Sequence, residues 1–163
     1  MPSPPRASAA RSLEIRAVDP ATPPAAALVA DFFAEIAARY PGFEPNRQPA
    51  APLDAFTPGA GGVFLVALRE GEPIACAGLQ RLDDTTGEVR RVFVREGARG
   101  GGVARTLLSA LLESARDLGY ERVRLDTGDR LPEARSLFLA FGFRDIADYN
   151  GNPYAAYWME RSL

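Results

Sequence analysis

"EVRRVFVREGARGGGVARTLLSALLESARDLGYERVRLDTG", residues 88–128, decides how this chain folds. Its hydrophobic period changes twice. Glu88–Val94 is rich in valine with one phenylalanine and predicts a strand. Val103, Leu107, Leu111 and Ala115, with Leu108 and Leu112 alongside, recur at helical spacing and predict a helix with a broad apolar face. Gly119 stands where such a helix ends, and Arg122–Asp126 predicts another strand. Strand, helix and strand in that order form a right-handed crossover, which makes the two strands parallel.

Between the first strand and the helix lie Arg99, Gly100, Gly101 and Gly102. A helix N-terminus offers free main-chain N–H groups and the positive end of the dipole. Glycines there let a ligand approach the backbone, so an anion accepts several hydrogen bonds at once. Arg99 and Arg105 add positive charge at the two ends of the turn. On the glycines alone, a helix entry without a ligand is an equal alternative. A P-loop needs a lysine, and this chain has none. A dinucleotide fingerprint fits poorly, because Arg105 takes the third small position.

Working outward, Leu13–Val18 alternates like a strand. Thr22, Pro23 and Pro24 open a helix whose stripe is Leu28, Phe32, Ile36 and Tyr40, and Pro41-Gly42 stops it. Prolines at 41, 45, 49, 52 and 58 break the next twenty or so residues into a long connection. Val63–Glu70 and Pro73–Leu82 predict a hairpin, with Glu88–Val94 as the third strand of an antiparallel meander. "LPEARSLFLAF" (131–141) predicts a helix with Pro132 in its first turn, followed by closing strands in "FRDIA" (143–147) and "AAYWMERSL" (155–163). The expected class is α/β (α+β), a mixed, mostly antiparallel sheet of six to seven strands with helices on both faces. Residues 1–12 are expected to be a flexible tail and 13–163 a single domain.

Composition narrows the chemistry. With no histidine and no lysine, histidine-based acid–base catalysis, zinc sites of the usual kind and Schiff-base chemistry are excluded. The single cysteine, Cys76, allows no intrachain disulfide and is expected as a small core residue. A net charge of −2 gives no reason to expect a nucleic acid or anionic membrane as partner. A cytoplasmic protein without a bound metal is expected.

Arg99 to Ala104 matches [QR]-x-x-G-x-[GA] after a strand, and so resembles motif A of the GNAT superfamily of acyl-CoA-dependent N-acyltransferases. "EARSLFLAFGF" (133–143) and "MERSL" (159–163) resemble that family's later helix and closing strand, and the likeness runs from Leu13 to Leu163. The resemblance implies acetyl-CoA as co-substrate. Its diphosphate would lie on the amides of Gly100, Gly101, Gly102, Val103, Ala104 and Arg105, with Arg99 shaping the turn. Its pantetheine arm would fill a splay between the parallel strands beside Val92, Phe93 and Val94. Phe138 stands where many members carry tyrosine, and Leu131 where asparagine is frequent. Glu88 sits where protein-acetylating members carry their basic glutamate. Even spacing would put it on one face with Val92 and Val94, and pairing with Arg90 or Arg91 is its plainer role. Water, Tyr149 or Tyr154 would protonate the thiolate, and a rim or packing role is the plainer one for both tyrosines. The acceptor, a primary amine of a small molecule or peptide, would meet residues 40–56 and 148–154, with Glu44, Asp148 and Tyr149 facing its charge. A monomer or homodimer is expected. A catalytically weakened acyl-CoA-binding module is the alternative.

Overall fold

The computed structural model describes residues 12–163, so the expected tail lies outside the described residues but for Ser12. In chain order the elements are β1 (Leu13–Ala17), α1 (Ala25–Arg39), β2 (Val63–Arg69), β3 (Glu72–Arg81), β4 (Thr86–Val94), α2 (Val103–Asp117), β5 (Arg122–Thr127), α3 (Pro132–Ala140), β6 (Arg144–Ile146) and β7 (Tyr157–Ser162). The order matches the one expected from periodicity. The strands form one sheet in the order β1-β2-β3-β4-β5-β7-β6. Every pairing is antiparallel except β4 with β5. That parallel pairing is short: Thr86, Gly87 and Glu88 meet Arg122, Val123 and Arg124, and nothing pairs beyond. The second half of β4 and the end of β5 therefore part company, and the gap between them positions the site.

The two faces of the sheet carry different helices. Val103, Leu107, Leu108, Leu111, Leu112 and Ala115 of α2 are buried against Leu65, Leu79, Val89, Val123 and Met159, with Phe138 of α3 in the same cluster. Each leucine so buried contributes roughly 1.5–3 kcal/mol. On the other face Ala25 and Leu28 of α1 pack with Phe56, Phe64, Cys76 and Phe93, and Phe32 packs against their edge. Cys76 is wholly buried there, and burial pushes its thiol up to about 12, as suits a core residue. Among the described residues no helix is long and apolar enough to cross a membrane.

One feature adds to the sequence reading and another departs from it. The proline-rich connection is not structureless: 3₁₀ turns at Pro45–Arg47, Leu53–Phe56 and Pro58–Ala60 shape it, and buried Phe56 pins it to the sheet. The alternation along β4 is also interrupted. Gly78 pairs with Arg90 and Cys76 with Phe93, so β4 holds one residue more than β3 over this stretch. Arg91 sits at the bulge with φ of 56°. The extra residue reverses the alternation, so Glu88, Val92 and Val94 do not share a face. Val89, Val92 and Val94 pack toward α2, whereas Phe93 and the Arg91 guanidinium lie on the α1 side.

Candidate active site

The gap between β4 and β5 opens into two cavities that meet. The first, about 590 Å³, runs along Val92, Phe93 and Val94, past Arg99, Gly100, Gly102, Val103, Ala104 and Arg105, to α3. Of the residues expected to hold the coenzyme, Gly101 alone does not line it. The second, about 570 Å³, lies under residues 45–52 and is walled by the last turns of α1, the bulge of β4, the end of β5 and Tyr154. Phe32, Ile36, Val92, Leu131, Ala134 and Phe138 line both.

The glycine turn has a bare main chain. Gly102 precedes α2 in the left-handed region, with φ of 77°, and no side chain caps the helix. Among the described residues, no acceptor engages the N–H groups of residues 100–105, and the first such bond runs from Thr106 to the Gly102 carbonyl. Arg99 folds the turn back: its Nε donates to the Val94 carbonyl at 2.8 Å and its Nη2 meets Glu35 at 2.6 Å. These amides, the dipole of a fifteen-residue helix and an adjoining groove make an anion site of the kind a diphosphate needs.

Behind the second cavity lies a closed polar network. Glu88 is 2% exposed. Its Oε1 accepts from Gln80 at 2.8 Å and Arg90 at 3.1 Å, and its Oε2 accepts from Tyr149 at 2.7 Å and Asn150 at 3.5 Å. The Arg90 pairing expected of a structural glutamate is thus present. Burial, reinforced by the Glu88 charge, raises the Tyr149 phenol above its ordinary range, so it keeps its proton. Asn150 also donates to Asp126 at 2.6 Å, and Asn152 donates to the other Asp126 oxygen at 3.0 Å. Asp126 lines the second cavity; Glu88 and Tyr149 do not. Burial holds the Asp126 carboxyl above its usual 3.8, against the Asn150 bond, with the Glu88 charge adding to the rise.

The structure therefore brings a carboxylate to the cavity that sequence reasoning passed over. Its only signal is position, at the C-terminal end of a strand beside a splay. Tyr154 does face the cavity; its hydroxyl accepts from the Glu44 amide at 2.8 Å and approaches the Glu44 carbonyl at 3.5 Å. Glu44 and Asp148 do not line the cavity, and Asp148 instead closes its own turn by accepting from Asn150 and Gly151. Phe138, 4% exposed, stands where the cavities meet. No cluster of three or more His, Cys, Asp or Glu fit for a metal occurs among the described residues.

A sheet split between parallel strands, with bared amides at a helix entry beside the split, is the frame of an acyl-transferring enzyme. The chain belongs to the acetyltransferase (GNAT) family, whose model matches residues 30–143. It is 33% identical over 98 residues to the uncharacterized N-acetyltransferase YsnE of Bacillus subtilis (strain 168); the match covers 56% of this chain and 65% of that protein, just under two thirds. A GNAT-family acetyltransferase from Staphylococcus aureus Mu50 shares the fold with a TM-score of 0.77 at 20% identity, over 93% of this chain and 99% of that one. So does a GNAT-family acetyltransferase from Elizabethkingia anophelis with acetyl-CoA bound, with a TM-score of 0.67 at 17% identity, over 93% and 98%.

Proposed function

We propose that this chain is an N-acetyltransferase that moves an acetyl group from acetyl-CoA to a primary amine of a small molecule or peptide. The observation that carries it is the pair of joined cavities, one floored by unpaired amides and the other faced by the half-buried Asp126 carboxylate. Acetyl-CoA supplies a thioester whose carbonyl carbon an amine attacks. The amides of Gly100 and of residues 102–105 hold its diphosphate, and the arm follows Val92–Val94 toward Phe138. The edge of β4 left unpaired by the splay offers main-chain N–H groups to the thioester oxygen.

The amine arrives from the second cavity. Asp126 receives the ammonium proton, since its carboxyl, raised by burial, faces the amine. Glu88 is the buried member of the same carboxylate pair: it shares Asn150 with Asp126, and its charge adds to the proton affinity of Asp126. The nitrogen bonds to the carbonyl carbon and gives up its second proton to water, the carbon–sulfur bond breaks, and an amide and a thiolate leave. Tyr154 or water protonates the thiolate; the Tyr149 proton is engaged by Glu88. Thiol release from acetyl-CoA across an amine panel, alongside calorimetric titration with CoA, tests this reading. Amine-dependent release is expected. CoA binding without transfer to any amine, or no CoA binding at all, would refute it.

A further inference from the structure

Three charged side chains line the acceptor cavity: Arg90, Arg91 and Asp126. Arg90 is matched by Glu88 at 3.1 Å. Asp126 is held by two neutral amides rather than a cation. Arg91 has no carboxylate within ion-pair distance among the described residues. Its Nη2 donates to the Ala51 carbonyl at 2.9 Å, and its Nη1 is shut off from solvent with no partner. The guanidinium lies between the rings of Phe33 and Phe56, 5.2 and 5.1 Å from their centroids.

A half-buried guanidinium with one donor sealed from solvent and unpaired, and no anion beside it, is costly, and the same residue carries the left-handed φ of the bulge. Burial lowers the Arg91 pKa from its ordinary value. The caps on both arginines are carbonyls of one segment: Pro49 for Arg90 and Ala51 for Arg91. A carboxylate accepts from a guanidinium more strongly than a carbonyl does, and two-pronged. The cavity thus presents one unmatched cation and one unmatched anion on opposite sides of the strand gap.

We propose that Arg91 binds a carboxylate of the acceptor while Asp126 takes its ammonium, so that the acceptors are free amino acids rather than simple amines or carboxyl-blocked peptides. This rests on the acyltransfer reading above. The acceptor's carboxylate displaces the Ala51 carbonyl from Arg91 Nη2, and withdrawal of that segment uncovers Nη1 for its second oxygen.

The test uses the full chain with acetyl-CoA and matched triplets: an amino acid, its primary amide and its decarboxylated amine, for small, apolar and acidic side chains. Wild type is expected to prefer the acid over the amide by about 100-fold in kcat/KM, the worth of a charged hydrogen bond. In Arg91→Gln that ratio falls toward one, and Arg91→Lys recovers part of it. Equal or better turnover of amides, no turnover of any amino acid, or an acid preference that survives Arg91→Gln each overturns the inference. The wild-type ratio alone decides if the variant does not fold. Amine turnover with indifference to the carboxylate sinks this inference and leaves the acyltransferase reading standing; failure to bind CoA sinks both.

Discussion

Replacing Gly102 by leucine tests the coenzyme site at the entry of α2. Gly102 has φ of 77°, and a Cβ there meets nothing within 4 Å. The substitution therefore creates no internal clash; its cost is backbone strain, about 1–2 kcal/mol for a side chain in the left-handed region. For a domain of this size that lowers Tm by about 2–4 °C per kcal/mol. The leucine side chain projects into the groove where the diphosphate would lie, and relaxing φ re-aims the amides that follow. Losing two charge-assisted hydrogen bonds at roughly 1.5–3 kcal/mol each weakens CoA binding by about 100-fold or more. Gly101→Ala is the control: its φ is not left-handed, its Cβ lies 3.6 Å from Arg69, and the residue does not line the groove. It should change affinity by about 0.5 kcal/mol at most. Calorimetric titration of both variants with CoA reads the difference. A folded Gly102→Leu protein that binds CoA like wild type would show that the bared amides hold something else, or nothing.

Asp126→Asn removes the carboxylate facing the amine, and kcat/KM at neutral pH should fall by about 100-fold or more while CoA affinity holds. Because the Asp126 carboxyl is raised from 3.8 and the base works deprotonated, wild-type kcat/KM should climb as pH rises through that raised value; a pH–rate profile of Asp126→Asn should lack this limb. Tyr149→Phe leaves Glu88 Oε2 with only the 3.5 Å bond from Asn150, a loss of about 1–3 kcal/mol that a thermal melt should register. Gly128→Ala sets a Cβ 1.7 Å from the Tyr40 hydroxyl and 3.0 Å from the Tyr154 carbonyl, so Tyr40 must swing from the cavity wall. KM for the acceptor should rise more than affinity for CoA falls.

The parts of the site legible in the sequence are those whose chemistry is local. The glycine turn carries its function in main-chain groups at a helix entry, and strand, turn and helix are contiguous from 88 to 117. Arg91 and Asp126 escaped for a different reason. "EVRRVFV" reads as an unbroken strand, since neither glycine nor proline marks the bulge; the extra residue exists only relative to its β3 partner. Asp126 ends a strand before "TG" and looks like a turn residue until Asn150 and Asn152 close on it from the last connection. Glu88 shows the same limit. Its position picked it out, but the four donors that enclose it come from β3, β4 and the segment before β7, and the enclosure puts Asp126, not Glu88, against the cavity.

The six residues common to both cavities are Phe32, Ile36, Val92, Leu131, Ala134 and Phe138, and none carries a charge. In the proposed reaction the thioester sits among them. No side chain there polarises its carbonyl, so the polarisation falls to the main chain of β4. A dry surround is where a main-chain N–H acts most strongly on a developing oxyanion, because little solvent screens it. The proton then has one side-chain exit, toward Asp126 across the gap. Phenylalanine at 138 fits this division, as a hydroxyl at that point would bring a dipole into the dry junction. A chain without histidine or lysine can run amine acylation this way because the splay supplies the electrophile's partner from the backbone and leaves a single carboxylate to handle the nucleophile.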